Sequence, residues 1–322
     1  DVRTGHEVTG VDPARKVVTV RTGSGHHEIR YDALVLSPGA AAIRPAIPGI
    51  DSALVHTVRS VEDAVGLRAE VDARPGGRAV VLGAGFIGLE VAEALAAQGM
   101  AVSVVELAAH VLPPLEREVA HDVEVELRRL GIAVHTGVPA TAIEAGADHA
   151  LIRLGNGTTI ATDLVVLSVG VRPDTGFLAS SGIALERGAI VVDEHGRTNL
   201  DGVWAVGDAV ISRHAVTGVR RPVALAGPAN RAGRQVADDI VRPGSARPLP
   251  APVGTAVVRI GALTIAMTGA NREELERAGI AFHTLHLHPN QHAGYFPGAK
   301  QLHLVVHVAS DDACLLGAQA IG

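Results

Sequence analysis

One glycine-rich turn constrains this chain more than any other feature. Gly83-Ala84-Gly85-Phe86-Ile87-Gly88 has the G-x-G-x-x-G spacing, follows the aliphatic run 79–82 and opens a helical stretch, 89–98, that stops at Gly99. A strand, a tight glycine turn and a helix in that order begin a dinucleotide-binding βαβ unit. Gly83 permits the turn, Gly85 lets a pyrophosphate reach the backbone, and Gly88 lets the helix pack on the strand. Phe86 and Ile87 lie in the turn that leads into the helix, whose free N–H groups and dipole favour phosphate. A second strand, 101–106, ends in Glu106, 18 residues after Gly88. A carboxylate there accepts hydrogen bonds from both ribose hydroxyls and repels a 2′-phosphate, so NADH is expected over NADPH. Leu107 follows, where an NADP enzyme often carries Arg.

The rest of the 322 residues is organised around that unit. Length alone predicts two or three domains. Apolar residues make up 47% and aromatics only 2%, so the cores are aliphatic, as in parallel sheets covered by helices. The net charge of −6 and the lack of a basic tract disfavour nucleic acid and anionic membranes as partners. The longest apolar run, 79–97, carries Glu90 and Glu93 and reads as the nucleotide motif rather than a membrane span. A single cysteine, Cys314, excludes an intrachain disulfide framework and fits a reducing, cytoplasmic setting. It lies in an aliphatic run and is expected to be a buried small hydrophobe.

Short strands fill the first segment: 16–21 and 27–31 form a hairpin, and 33–36 is buried and runs into Ser37-Pro38-Gly39. Beyond the glycine unit come a helix at 116–130, a hairpin around Asn156-Gly157 and a buried strand at 164–169. A helix follows at 229–241, and then a linker with four prolines between 242 and 252. Residues 253–322 alternate apolar and polar residues, as in an antiparallel sheet with one helix near 272–278, and read as a separate small domain. The expected class is α/β, with one dinucleotide domain, 58–180, inserted into another made of 1–57 and 181–246. The exposed apolar face expected on 253–322 includes Val257, Ile260, Leu263 and Ile265 and requires a cover.

Several segments together resemble the flavoprotein pyridine nucleotide–disulfide oxidoreductases, in the coenzyme A–disulfide reductase and NADH oxidase branch. YDALVLSPGA at 31–40 is similar to the strand and turn that return to the flavin. DLVVLSVGVRP at 163–173 resembles the strand closing the NAD domain and includes Gly170. TNLDGVWAVGD at 198–208 resembles the second flavin motif, and LAGPANRAGR at 225–234 the helix entry beneath the flavin. HAGYFPGA at 292–299 is similar to part of the branch's interface domain. The resemblance implies two Rossmann-like domains, an FAD domain interrupted by an NAD(H) domain, plus an α+β dimerisation domain at 253–322. It implies FAD contacts at Ser37, Pro38, Gly39, Gly207, Asp208 and Ala226, with Asp208 on the ribityl chain. It places Glu90 by the nicotinamide, gives Phe86 the position of a gating Tyr without its hydroxyl, and brings Tyr295 near a redox centre across a homodimer. On the residues alone, Glu90 reads as a solvated helix acid, Phe86 as a core aromatic and Tyr295 as packing at a turn.

The implied reaction passes hydride from NADH through FAD to a redox cysteine, reducing a small-molecule thiol/disulfide substrate: coenzyme A disulfide or a related disulfide or persulfide. A water-forming or peroxide-reducing NADH oxidase on the same scaffold, and a non-enzymatic nucleotide-binding, dimerising module, remain open alternatives. The family's first flavin glycine motif and its redox cysteine are absent from these residues, so the chain is expected to be a piece of a longer protein and inactive by itself. Arg3, Asn230 and Arg231 are candidate contacts to an anionic substrate such as coenzyme A. His283, His286, His288 and His292 have no Cys or acidic ligand interleaved, and no metal is expected.

Overall fold

A computed structural model describes residues 1–244 and 246–322. Five α-helices occur among them: α1 (Val61–Asp72), α2 (Phe86–Ala97), α3 (Arg117–Arg129), α4 (Ala226–Val241) and α5 (Arg272–Arg277). The chain divides into two units, one of Asp1–Ala41 with Arg172–Gly254, the other of Ala42–Val171 with Thr255–Gly322.

In the first unit, Glu7–Asp12, Val17–Thr22 and Gly25–Arg30 form an antiparallel sheet, with Thr22 opposite Gly25 across the expected hairpin turn. Leu34–Leu36 pairs in parallel with Val203–Ala205. The core beneath them gathers Val18, Val20, Leu36, Leu178, Ile190, Val203 and Ala205. Helix α4 is tied to this unit by a buried carboxylate. Asp239 accepts two hydrogen bonds from Arg197 (2.7 and 2.6 Å) and one from Trp204 Nε1 (2.9 Å). The Arg197 bonds hold its pKa down against the burial that would raise it.

The second unit is built on a parallel sheet in the order Val55–Thr57, Leu164–Leu167, Arg78–Leu82, Ala101–Val105, Ala133–His135. Leu164–Leu167 is buried along its whole length, as a strand covered on both faces must be. Asp163 clamps the start of that strand to Arg78, accepting from its backbone N–H at 2.9 Å and from its guanidinium. Residues 42–57 belong to this unit, so the chain crosses at 41/42 and 171/172 rather than at the expected 57/58 and 180/181. The three-residue edge strand Val55–Thr57, paired in parallel with Val165–Leu167, accounts for the first difference. Helix α2 starts at Phe86, three residues earlier than the apolar periodicity indicates, because Gly85 is its N-cap.

The C-terminal segment forms the expected antiparallel sheet, Ala256–Ile260, Leu263–Gly269, Leu315–Ile321, His303–Ala309, Phe282–Leu287 in spatial order. It is not a body apart. Val258, Ile260, Ile265, Val305 and Ile321 share one core with Leu89 and Leu95 of α2 and Val119, Val123 and Leu127 of α3. The expected apolar face is corrected accordingly. Ile260 and Ile265 point inward, Leu263 packs against the same core, and the cover is the chain's own helices; Val257, one residue out of phase with Val258 and Ile260, points outward and is 66% exposed.

A polar seam completes that packing. Burial alone would raise the pKa of Glu116, but hydrogen bonds from His307 (2.9 Å) and from the backbone (2.7 Å) and side chain of Arg272 hold it at about 2. Glu126, bonded by Arg129 (2.6 and 2.7 Å) and by Ala262 N–H (2.7 Å), is also held at about 2. Both carboxyls are depressed in the folded chain, so the stability they contribute is present above their ordinary value of 4.5 and is lost as pH falls from there towards about 2. Each contributes roughly 3 kcal/mol at most. The urea midpoint should therefore fall steeply below pH about 5, and Glu116→Gln and Glu126→Gln should each flatten that limb. An acid limb identical in both variants would assign the titration to other groups.

Candidate functional site

At the carboxyl edge of the parallel sheet, where open α/β sheets bind ligands, lies a cleft of about 620 Å³. Gly83, Gly85, Phe86 and Ile87 line it from the glycine turn, Glu106 and Leu107 from the end of the neighbouring strand, Pro113 from the loop beyond, and Gly170 from the end of Leu164–Leu167. The remaining walls, such as Ile47 and Val138, are mostly apolar and suit the flat faces of a dinucleotide's rings.

The glycines differ in what they do. Gly83 has φ +103°, and a Cβ there would lie 2.2 Å from the Ser168 carbonyl oxygen. Gly88 faces the same limit, since its Cβ would lie 2.1 Å from the Gly83 carbonyl oxygen, where the first turn of α2 closes on the glycine turn. At Gly85 a Cβ would meet nothing within 4 Å. Protein packing does not demand glycine at 85, and the open space fits an approaching pyrophosphate at the start of α2.

Glu106 is fixed in place. Its Oε2 accepts the Ala84 N–H at 2.7 Å and its Oε1 accepts the Ala108 N–H at 2.8 Å. A carboxylate has acceptor directions to spare beyond two such bonds, so Glu106 can brace the turn and still receive ribose hydroxyls. The sequence did not single out Leu112 and Pro113; Pro113 finishes this wall and Leu112 is buried behind it. Leu112 N–H donates to the Ala84 carbonyl at 2.8 Å, and only the Pro113-Pro114 pair marks the loop in the sequence. Gly170, at φ +105°, accepts the Ile43 N–H at 3.0 Å and borders the cleft. Glu90 is exposed on α2 and is not part of the cleft wall.

The proposed flavin residues gather in the other unit. Ser37-Pro38-Gly39 leaves Leu34–Leu36 and Val206-Gly207-Asp208 leaves the parallel strand Val203–Ala205, joined by the Val206 N–H bond to the Leu36 carbonyl at 3.0 Å. Gly207 has φ +81°, and a Cβ there would meet Ser37 Oγ at 3.5 Å and Ala229 Cβ at 4.0 Å. Two strand ends and the start of α4, where Ala226 is exposed, thus converge. This arrangement suits one side of a dinucleotide, and the 322 residues hold no second G-x-G-x-x-G to cradle its pyrophosphate.

Other candidates stand apart. Arg3 precedes the first strand, and Asn230 and Arg231 are exposed on α4; no hydrogen bond among the described residues joins them. Tyr295 is 85% exposed beside Phe296 in the loop between Phe282–Leu287 and His303–Ala309. No group of three or more His, Cys, Asp and Glu gathers to hold a metal among the described residues. No described helix is long and apolar enough to cross a membrane. Cys314 corrects its sequence reading: it is exposed at the turn before Leu315–Ile321, with its Sγ 3.1 Å from Asp312 Oδ2. The hydrogen bond and charge of Asp312 raise the thiol's pKa, the opposite of what a redox nucleophile needs.

The sequence profile of the pyridine nucleotide-disulphide oxidoreductases matches residues 1–233. The chain belongs to that family. It is 30% identical to a coenzyme A disulfide reductase of Staphylococcus haemolyticus, over 100% of this chain and 71% of that protein. It is 31% identical to an NAD(P)H sulfur oxidoreductase (CoA-dependent) of Pyrococcus abyssi, with the same coverage of each. The solved NAD-dependent persulfide reductase from A. fulgidus superposes with a TM-score of 0.96 at 33% identity, over 100% of this chain. The chain spans 59% of that structure's length. The mixed α/β fold of this family, with a parallel-sheet core and a C-terminal antiparallel sheet, is thereby established, and FAD and NAD(H) are the cofactors this family's members carry.

Proposed function

We propose that this chain serves an FAD-dependent oxidoreductase that draws hydride from NADH and reduces coenzyme A disulfide or a related disulfide or persulfide. The observation that carries the reading is the nucleotide cleft, with Glu106 braced across the glycine turn by Ala84 and Ala108, in a chain whose relatives are named for this chemistry. The turn and the start of α2 bind the pyrophosphate, Glu106 receives the ribose hydroxyls, and Phe86 with the apolar walls excludes water from the ring faces. When bound, NADH supplies the hydride and FAD relays the electrons onward. Ser37, Pro38, Gly39, Gly207, Asp208 and Ala226 form one side of the flavin site. Arg3, Asn230 and Arg231 contact an anionic substrate. The redox cysteine is supplied by residues outside these 322, and the enzyme is cytoplasmic.

The working unit is a homodimer built through the C-terminal sheet. Val257, Ala266, Ala320, Leu304 and Leu287 form one row across it by strand register, on the side away from α2 and α3. Val257, Leu285 and Leu287 are 66%, 47% and 45% exposed, an apolar face that a two-fold partner would cover. Tyr295 reaches from the adjoining loop towards the partner's redox centre. In the full-length protein loaded with FAD, NADH oxidation should keep pace with free thiol released from coenzyme A disulfide, and light scattering should give twice the monomer mass. NADH consumption matched by oxygen uptake instead of thiol would replace the reading with an NADH oxidase. A fully active monomer would remove the role of Tyr295.

A further inference from the structure

The segment between Ala101–Val105 and α3 has no regular structure, yet it carries Glu106, Leu107 and Pro113 into the cleft. At its centre Leu112 is fully buried with φ +46°, a left-handed conformation that bulky L-residues avoid. In that posture its N–H reaches the Ala84 carbonyl inside the glycine turn, at 2.8 Å. Strain of this kind persists only where the surroundings over-determine it.

The over-determination comes from far along the chain. The Pro114 carbonyl accepts Asn271 Nδ2 at 3.0 Å and Gln319 Nε2 at 3.1 Å. The same Gln319 side chain accepts the Glu116 N–H through Oε1 at 2.6 Å, so one buried amide spans the loop's exit. The Glu116 carboxylate then receives His307 and Arg272. All four anchoring side chains belong to α5, its N-cap or the C-terminal sheet. None touches the cleft.

We propose that Asn271, Arg272, His307 and Gln319 are positioning residues for the nicotinamide nucleotide. The C-terminal sheet sets residues 107–116, and through Leu112 and Glu106 it sets the glycine turn in its binding geometry. This rests on reading the cleft as the NADH site.

NADH is titrated into the chain by nicotinamide fluorescence. No binding to the native chain would overturn the reading of the cleft itself, before any variant is compared. Asn271→Asp keeps an acceptor for the Glu274 N–H that caps α5 and loses only the bond to Pro114. Gln319→Leu loses both of its bonds. The dissociation constant should rise about threefold in the first and about tenfold in the second, with faster amide exchange at Leu112 and Ala84. Glu126→Gln loosens the same sheet at Ala262, away from the loop; it should lower the melting temperature and leave NADH affinity unchanged. Native affinity and native exchange in folded Asn271→Asp and Gln319→Leu would overturn the proposal, as would an equal loss of affinity in Glu126→Gln. Should Gln319→Leu fail to fold, Asn271→Asp decides.

Discussion

Gly85→Ala should leave the chain folded and weaken NADH binding by about a hundredfold or more, whereas Gly83→Ala should lose both the binding and the fold of the turn. The two positions lie two residues apart in one motif, and the difference is steric. Gly83 adopts φ +103°, and its missing Cβ would stand 2.2 Å from the Ser168 carbonyl oxygen and 2.6 Å from its carbonyl carbon. Those are backbone atoms at the end of a strand buried along its length, so nothing flexible can give way. Gly85 has φ −75°, which any residue adopts, and an empty space where its Cβ would be. Only a ligand makes glycine necessary there. Thermal melts and NADH titrations of the two variants separate the effects. A Gly85→Ala chain with native NADH affinity would show that the pyrophosphate does not pass over this turn.

The contrast also shows where the sequence speaks clearly. The glycine spacing, the aliphatic strand before it and the acid 18 residues on are local features, and each is fixed by a backbone conformation or a charge that few residue types supply. They place Gly83, Gly85, Phe86, Ile87 and Glu106 on one cleft before any coordinate is known. What the sequence hides is set by contacts between distant residues. Val55–Thr57 is too short to show a period, and it becomes a strand only because Leu164–Leu167 pairs with it. The C-terminal sheet looks like a body with one uncovered face because α3 conceals its match: its apolar residues Val119, Val123 and Leu127 pack on the sheet while Glu116 and Glu126 bond to it. Gln319 carries no signature at all and Asn271 shows only its cap on α5, since their other partners are the carbonyl of Pro114 and the N–H of Glu116, some 200 and 150 residues earlier. Cys314 reads as buried because its neighbours are aliphatic, while the Asp311-Asp312 turn before it lifts it into solvent.

Replacing Glu106 should change which nicotinamide nucleotide is bound. The carboxylate ends the second strand of the βαβ unit, fixed by N–H groups of Ala84 and Ala108 at 2.7 and 2.8 Å. A 2′-phosphate placed there would meet a fixed negative charge, and at an effective dielectric suited to a partly exposed pair the repulsion is on the order of 2–3 kcal/mol. That corresponds to a preference for NADH of about thirty- to a hundred-and-fiftyfold. Glu106→Gln removes the charge and keeps the shape, with one oxygen still able to accept the Ala84 N–H. The preference should shrink to about threefold, chiefly through a gain in NADPH affinity. Glu106→Ser also gives up the brace on the turn, so NADH affinity should fall by about tenfold as well. Glu106→Arg should reverse the order. Titrating both nucleotides against all three variants separates charge from scaffolding. If Glu106→Gln discriminates as strongly as the native chain, the selection comes from the shape of the cleft and not from the carboxylate.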